Sequence, residues 1–387
     1  MTAAAVDPPA GLVRSDPSGP GLCRRRSGRG WVFLGPDGER IDDRAEIARI
    51  KDLVIPPAWR DVWISPDPRG HIQAVGTDDA GRRQYRYHDD WRRARDQEKH
   101  DRVLSLGRKL SEVRGEITTR LGTSGLHRER VLAGAVRMLD IGVFRAGGEQ
   151  YAPSCGDDGS DDCSGGTGST GRGHDGTGST GCGHDGDDHD DTGTFGLATL
   201  RREHVTLRRG LIHFDYPAKG GVPRRLDLRD PLLHRLVNGL LRRKGGGEDL
   251  LAYRTGRTGW HDVRSEDLNI AVKELAGDRF TCKDLRTWNA TVLAAVTLAG
   301  AVAEEGRVPS AKRARTRMVR HAVTTVSDHL GNTPTVARNS YVDPRVVERF
   351  EEGRTVLVAL RRLETPDLTD DRSRAAVERA VVRLITG

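Results

Sequence analysis

The sequence has few cysteines, few aromatic residues and no long hydrophobic run. Its five cysteines are an odd number scattered over 387 residues, which argues against a disulfide framework and suits a reducing compartment. Aromatic residues make up 5% of the chain, and no stretch of 18 apolar residues stands out, so we expect no membrane-spanning segment. The first residues lack an apolar core after a basic start, and we therefore expect a cytoplasmic protein.

Lysine is also scarce, since only eight of the 63 basic residues are lysine and the others are arginine. The net charge is +7, and residues 156–191 alone contribute −9, so the rest of the chain carries +16. A body this basic favours a polyanionic partner, most simply nucleic acid. An arginine-rich coding bias is the alternative explanation, and the charge alone does not separate the two.

Residues 154–193 differ in composition from everything around them. The stretch "TGSTGRGHDG" (167–176) is repeated at once as "TGSTGCGHDG" (177–186). A segment without aliphatic or aromatic residues cannot offset its ordering entropy, so we predict an acidic, glycine-rich, disordered insertion. Its histidines and aspartates do not form a preorganised site in such a flexible segment, and we expect no metal and no cofactor.

The remaining patterns predict an α+β protein with two domains. Residues 1–21 are expected to be a disordered tail, because they are rich in small residues and proline. Residues 22–97 alternate apolar and polar side chains around turn signals such as Pro-Asp-Gly, as in "GWVFLGPDGERI", which is typical of β-hairpins. Residues 98–387 mainly have helical spacing and include one β-hairpin region near "LIHFDYPAKGGVPRRLDL". We therefore predict a small β-rich N-terminal domain followed by a larger, mainly α-helical domain.

The β-rich domain closes with "GRRQYRYHDDW" (81–91), where basic residues interleave with tyrosines. Strand alternation places Arg83, Tyr85 and Tyr87 on one face. Aromatic rings beside arginines suit contacts with a nucleic-acid backbone. The alternative is a solvated edge strand.

Four short stretches carry residue types that suit phosphodiester chemistry. They supply Arg145 in "RAGGEQY", Lys219 in "PAKGG", Arg286 in "KDLRTW", and Asn332 with Tyr341 in "LGNTPTVARNSYVDP". A tyrosine can attack phosphorus, and arginines can hold the phosphate oxygens. A lysine can donate a proton to a leaving alkoxide, which an arginine cannot do. Taken one by one, each side chain is better explained by packing, a surface turn or an ion pair, and spacing alone does not join them.

The motifs together resemble those of the bacterial, poxvirus-like type IB DNA topoisomerases. The pattern RxGxExY is matched at Arg145, Gly147, Glu149 and Tyr151. The stretches "FGLATLRREHV" (195–205), "KDLRTW" (283–288) and "LGNTPxVxRxSYxxP" (330–344) are also similar to the family. The resemblance extends from about residue 22 to residue 387, apart from the insertion.

The resemblance implies a fold and a set of roles. It implies a catalytic domain of the tyrosine recombinase and topoisomerase IB type, clamped as a monomer around double-stranded DNA at the nucleoid. Tyr341 would be the nucleophile that forms a 3′-phosphotyrosyl link, with Arg145 and Arg286 stabilising the transition state and Lys219 as general acid. Strand rotation and religation would follow without ATP, other nucleotides or metal. The expected DNA-contacting residues are Arg82, Arg83, Gln84, Tyr85, Tyr87 and Lys283.

The sequence departs from many family members at Asn332, where they carry histidine. An asparagine transfers no proton at neutral pH, so Asn332 is expected to act only as a hydrogen-bond donor. His329 is the nearest substitute, and the alternative is that it is a surface histidine at the end of a helix. A tyrosine site-specific recombinase uses the same residue types but typically has His-x-x-Arg at the second arginine, where this chain has Lys283 and Arg286. A DNA-binding protein without catalysis is the remaining alternative.

Overall fold

The computed structural model describes residues 7–147, 194–363 and 370–387. The chain divides into two compact units, Met1–Asp101 and Arg102–Gly387, called here the N-terminal and the C-terminal unit. Residues 154–193, predicted to be a disordered insertion, and Glu149 and Tyr151 of the RxGxExY pattern lie outside the described residues. The fold is β-rich in the first unit and mainly helical in the second, as the sequence predicts.

The N-terminal unit is built on a five-stranded antiparallel sheet in the order β2-β1-β3-β4-β5. Its elements are β1 (Leu22–Ser27), β2 (Gly30–Leu34), α1 (Arg44–Asp52), β3 (Arg60–Ile64), β4 (Ile72–Thr77) and β5 (Arg83–Tyr87). Apolar side chains of β1, β2, β3, β4 and α1 form its core. The Pro-Asp-Gly turn is present, but the chain segments on its two sides pair through an isolated bridge between Leu34 and Arg40 and form no longer hairpin. The longer hairpin is formed by β1 and β2 instead.

The expected disordered tail, residues 1–21, is ordered where it is described. Val13 bridges Gly70, and its backbone exchanges hydrogen bonds with Arg69 and His71, each of 2.9 Å. The Ser15 hydroxyl donates to the Ile72 carbonyl at 2.9 Å. The backbone groups of this segment pair with those of the sheet, a compensation that composition does not reveal.

The first long helix, α2 (Asp89–Gly122), begins earlier than the predicted helical region at residue 98 and crosses the boundary between the units. Its first three turns are polar, so they lack the apolar spacing that indicates a helix. Aspartates in the first turn favour the helix N-terminus, and ion pairs at a spacing of three, such as Lys99 with Asp96 at 2.7 Å, support it.

The C-terminal unit is mainly helical. After α2 it contains α3 (Arg128–Gly142), β6 (Val205–Arg208), β7 (Leu211–Ala218), β8 (Val222–Leu228), α4 (Pro231–Leu241), β9 (Ala252–Thr255), β10 (Gly259–Asp262), α5 (Ser265–Ala276), α6 (Cys282–Glu305), α7 (Lys312–Leu330), α8 (Pro334–Ser340), α9 (Pro344–Glu351), α10 (Leu357–Arg361) and α11 (Asp371–Thr386). Helix α6 is long and apolar enough to span a membrane, but 72% of its most apolar window is buried within the protein. It is explained as the central helix of the unit's core.

Strands β6, β7 and β8 form an antiparallel sheet whose last turn becomes the tip of a hairpin. Ala218 pairs with Val222, which leaves a three-residue tip that begins with Lys219. Gly220 and Gly221 have φ angles of +81° and +71°. Only glycine adopts this left-handed conformation at little cost, so the two glycines of "PAKGG" determine the turn.

A buried ionic network joins α2, α3, α6 and α11. Arg114 pairs with Asp140 at 2.8 Å and with Glu378 at 2.7 Å, and Arg374 pairs with Asp140 at 2.9 Å. Arg374 also donates to the side chain of Asn289 at 2.6 Å, one turn after Arg286 on α6. Burial opposes ionisation of Asp140, but the charges of Arg374 and Arg114 outweigh it and hold its pKa below the usual range.

Replacement of Asp140 with asparagine is expected to lower the free energy of unfolding by about 3–5 kcal/mol, because it leaves buried arginine charge uncompensated. Urea denaturation at pH 7 measures this loss. Glu304→Gln, on the exposed end of α6, should change stability by no more than about 0.5 kcal/mol. An equal, small effect of both substitutions would contradict a structural role for the network.

Candidate active site

Arg145 is fixed by a short pairing of two chain segments. The Leu197 amide donates to the Arg145 carbonyl and the Ala198 amide to the Ala146 carbonyl, both at 2.8 Å. Gly147 has a φ angle of +89°, and a Cβ atom on Gly196 would lie 2.3 Å from the Gly147 Cα. Both positions therefore require glycine, which explains the glycine of the "RAGG" stretch and the one in "FGLAT".

Arg286 lies in the second turn of α6, and its side chain is 5% exposed. Asp284 accepts from the Thr281 amide at 2.9 Å, which stabilises the start of the helix, and pairs with Arg102 at 2.8 Å. Arg286 Nη1 donates to the Val143 carbonyl at 2.6 Å. Val143 itself has a φ angle of +52°, an unusual conformation for a β-branched residue. Val143 is therefore a strained residue, and its carbonyl is the one that accepts from the Arg286 guanidinium.

Three guanidinium groups lie at the C-terminal end of α7 and donate hydrogen bonds to it. Its last carbonyls lack partners within the helix, and the helix dipole places partial negative charge there. Arg224 Nη1 donates to the His329 carbonyl at 3.1 Å, and Arg145 Nη2 donates to the Gly331 carbonyl at 2.8 Å. Arg286 Nη2 donates to the Leu330 carbonyl between them. We call the carbonyls of residues 329–331 the α7 carbonyl end.

Asn332 follows the α7 carbonyl end and faces the same arginines. Its Oδ1 accepts a hydrogen bond from Arg145 Nη2, so its Nδ2 points elsewhere. Within the described part of the chain, this Nδ2 and the Nε atoms of Arg286 and Arg224 are buried without a partner. Buried donors are almost always satisfied. Buried donors that lack a protein partner suit an anion that accepts hydrogen bonds from them.

Lys219, at the hairpin tip, lines a cavity together with the arginines of the site. This cavity of about 240 Å³ is lined by Lys219, Arg145, Arg224, Arg286 and His329, among others. Four of these side chains are lysine or arginine, so the cavity attracts a phosphate group. The mutual proximity and burial of the arginines lower the pKa of Arg286, with desolvation as the main cause and the charge of Arg145 second.

Tyr341 stands beside Arg286 at the end of α8. The Arg286 Cζ atom lies 5.5 Å from the centre of the Tyr341 ring. The Tyr341 backbone is held on both sides, since its amide donates to Ala337 at 3.1 Å and its carbonyl accepts from Thr291 Oγ1 at 3.3 Å. The ring is half-buried, so it combines a fixed position with partial access. Tyr341 is therefore brought beside Arg286, as the hypothesis requires.

A second tyrosine near the cavity is unsuited to attack a phosphate. Tyr216 is 3% exposed, and its ring stacks near Phe144 with ring centres 6.1 Å apart. Burial raises the pKa of Tyr216 to about 12. It serves as a wall of the cavity.

His329 lies in the cavity as a neutral imidazole. Desolvation first, and then the charges of Arg224 and Arg286, lower the pKa of His329 to about 4. The residue keeps an exposed surface, so solvent moderates the effect, but the direction follows from two nearby cations. At pH 7 His329 therefore adds no charge to the cavity.

The predicted DNA-contacting residues occupy two places, each in its own unit. On β5, at the edge of the sheet, Tyr85 and Tyr87 stack with ring centres 5.9 Å apart, and the Arg83 Cζ lies 5.8 Å from the Tyr85 ring centre. The shared face of these three residues agrees with the predicted strand alternation. Arg82 and Gln84 contact Asp78 at 3.0 Å and 2.9 Å and stabilise the preceding turn. In the C-terminal unit, Lys283 is exposed at the start of α6.

Sequence reasoning missed Arg224 as a member of this site. The signal was the alternation in "VPRRLDL", which places Arg224 on the face of β8 that carries Leu226 and Leu228. The neighbouring Arg225 points outward and pairs with Asp215 at 3.0 Å. Two adjacent arginines in a strand always face opposite ways, so one of them had to face inward.

Comparison with known proteins gives three matches. The N-terminal domain of bacterial DNA topoisomerase IB matches residues 30–78, and the catalytic core of eukaryotic DNA topoisomerase I matches residues 181–357. A DNA topoisomerase 1B of Acanthamoeba polyphaga mimivirus is 24% identical over 337 residues, which cover 86% of this chain and 88% of that protein. The core match contains Lys219, Arg286 and Tyr341. The resemblance to the type IB DNA topoisomerases that the motifs indicate is confirmed by these matches, and the family implies DNA as the partner.

Proposed function

We propose that this chain relaxes supercoiled duplex DNA by cutting one strand through a covalent 3′-phosphotyrosyl link at Tyr341, allowing rotation, and religating the strand. The observation that carries this proposal is the convergence of Arg145, Arg286 and Asn332 at the end of α7, with Tyr341 beside Arg286. A scissile phosphate there would meet fixed donors on one side and the phenol on the other. Such preorganised donors stabilise the charge that develops during attack.

The side chains divide the chemical work as follows. The Tyr341 oxygen attacks phosphorus and loses its proton to solvent, while the bond from phosphorus to the 5′ oxygen breaks. Arg145 and Arg286 hold the non-bridging oxygens with forked donors, and Asn332 supplies one further donor through Nδ2. Lys219 gives its proton to the departing 5′ oxygen. Religation reverses each of these steps.

This chemistry needs neither ATP nor another nucleotide, because the phosphotyrosyl bond retains the energy of the broken phosphodiester. The guanidinium groups supply the positive charge that a metal would otherwise supply to the phosphate. The five proposed residues come from one chain, which supports action as a monomer. We place the enzyme at the nucleoid in the cytoplasm, where duplex DNA is its substrate. The β5 face and Lys283 would contribute backbone contacts.

Relaxation of plasmid DNA in the presence of EDTA and without ATP tests this proposal. The expected result is relaxation of both negatively and positively supercoiled plasmid, because rotation about the intact strand has no preferred direction. Relaxation of only one sign, or a requirement for Mg²⁺ or ATP, would contradict it. A product that recombines two sites instead of changing the linking number would support the recombinase alternative.

A further inference from the structure

Arg224 differs from the other basic residues of its strand in the direction of its side chain. On β8 the outward residues Arg225 and Asp227 make ion pairs across the sheet, with Asp215 at 3.0 Å and His213 at 2.6 Å. Arg224 shares the inward face with the partly buried Leu226. It is therefore the basic residue of β8 whose guanidinium reaches the α7 carbonyl end.

The Arg224 guanidinium joins three elements. Nη1 donates to the His329 carbonyl at 3.1 Å, and Nη2 donates to the Gly142 carbonyl at 3.0 Å. Gly142 ends α3 and directly precedes Val143, whose carbonyl holds Arg286. Both acceptors of Arg224 thus adjoin carbonyls that hold Arg286. One side chain sets the position of the hairpin relative to the phosphate-binding arginines.

The hairpin offers little buried apolar surface near its tip. Its tip contains two glycines, and Val222 is 59% exposed. Segments with few buried apolar contacts open at little free-energy cost. Arg224 lies five residues after Lys219 and is paired with Tyr216, so a contact at Arg224 restrains the tip through rigid strand backbone.

We propose that Arg224 is a positioning residue for the general acid: it holds the β7–β8 hairpin against the α7 carbonyl end so that Lys219 stands at the leaving 5′ oxygen. This inference rests on the proposed function. In the step concerned, the bond between phosphorus and the 5′ oxygen breaks, and the oxygen receives the Lys219 proton, whereas Arg224 transfers no proton. A lysine at 224 would not replace it, because one ammonium group lacks the planar fork that reaches two carbonyls.

The test uses single-turnover cleavage of a duplex that carries a cleavage site mapped on plasmid DNA. The duplex is made in two forms, one with the natural phosphodiester and one with sulfur in place of the bridging 5′ oxygen. A thiolate leaves without protonation, so the sulfur form does not depend on a general acid. Arg224→Ala and Arg224→Lys are expected to cleave the natural form about 10²-fold more slowly. They should cleave the sulfur form within a few-fold of the parent rate.

Three variants calibrate this result. Lys219→Ala should give the same pattern, and Arg145→Ala should be slow on both forms. Arg208→Ala, exposed at the far end of the same sheet, should match the parent on both. The melting temperature of each variant is measured beside its rates. If Arg224→Ala does not fold, Arg224→Lys keeps the charge and the stem and provides the same comparison.

The outcomes separate this inference from the proposed function. If Lys219→Ala recovers on the sulfur form but the Arg224 variants stay slow, Arg224 acts on the phosphate or on the fold, and the inference is wrong. Parent-like rates of the Arg224 variants on both forms would also overturn it. If Lys219→Ala itself stays slow on the sulfur form, the general-acid role in the proposed function fails, and this inference fails with it.

Discussion

Tyr341→Phe is expected to abolish covalent attachment of the protein to DNA. The substitution removes the oxygen that would attack phosphorus, while the ring and its contacts with Arg286 are kept. Loss of a nucleophile costs at least about 10⁵-fold in rate, which puts cleavage below detection. The measurement is denaturing gel electrophoresis of labelled DNA after trapping with detergent, together with plasmid relaxation.

The matched control is Tyr253→Phe, which removes a hydroxyl elsewhere in the C-terminal unit. Tyr253 is 8% exposed on β9 and should not affect cleavage. DNA binding by Tyr341→Phe should equal that of the parent, because the phenol hydroxyl is a small part of the contact. Residual relaxation by Tyr341→Phe would mean that Tyr341 is a packing residue and that another group attacks the phosphate.

Arg145→Ala and Arg286→Ala are each expected to slow cleavage by about 10²–10³-fold, because each removes a preorganised donor to the phosphate in the transition state. Binding should change much less, since many basic residues share the contacts with the DNA backbone. Cleavage is measured in single-turnover reactions. The dissociation constant is measured separately in the Tyr341→Phe background, where no covalent complex can form.

One lysine variant and a substitution of a distant arginine make this test specific. Arg286→Lys should remain strongly impaired, because one ammonium group cannot replace contacts with two carbonyls and a phosphate. Arg235→Ala, exposed on α4, should behave like the parent. An equal loss of binding and cleavage in the alanine variants would show that Arg145 and Arg286 hold the DNA without stabilising the transition state.

The structure agrees with the sequence where a local rule is strong. The glycines of "PAKGG" mark a turn in the predicted hairpin and form its tip, and the helical spacing predicted for residues 98–387 is realised in helices such as α3. It departs from the sequence where tertiary pairing replaces local pattern. The polar start of α2 is held by ion pairs, and the tail near Val13 is held by backbone bonds to the sheet. Neither the ion pairs nor the backbone bonds are accompanied by an apolar periodicity, so the sequence pattern does not predict them.

The sequence by itself indicated the resemblance to the type IB topoisomerases, the residue types of the site and the turn at "PAKGG". Motifs such as "KDLRTW" carry this information because a residue type and its spacing are local properties. Only the tertiary structure decided that Arg145, Arg224 and Arg286 meet at three consecutive carbonyls at the end of α7. The physical reason is that these unpaired carbonyls and the helix dipole attract cations from any part of the chain that folding brings near. No spacing in the sequence encodes that meeting point, so only the fold shows that the inward-facing Arg224 reaches it.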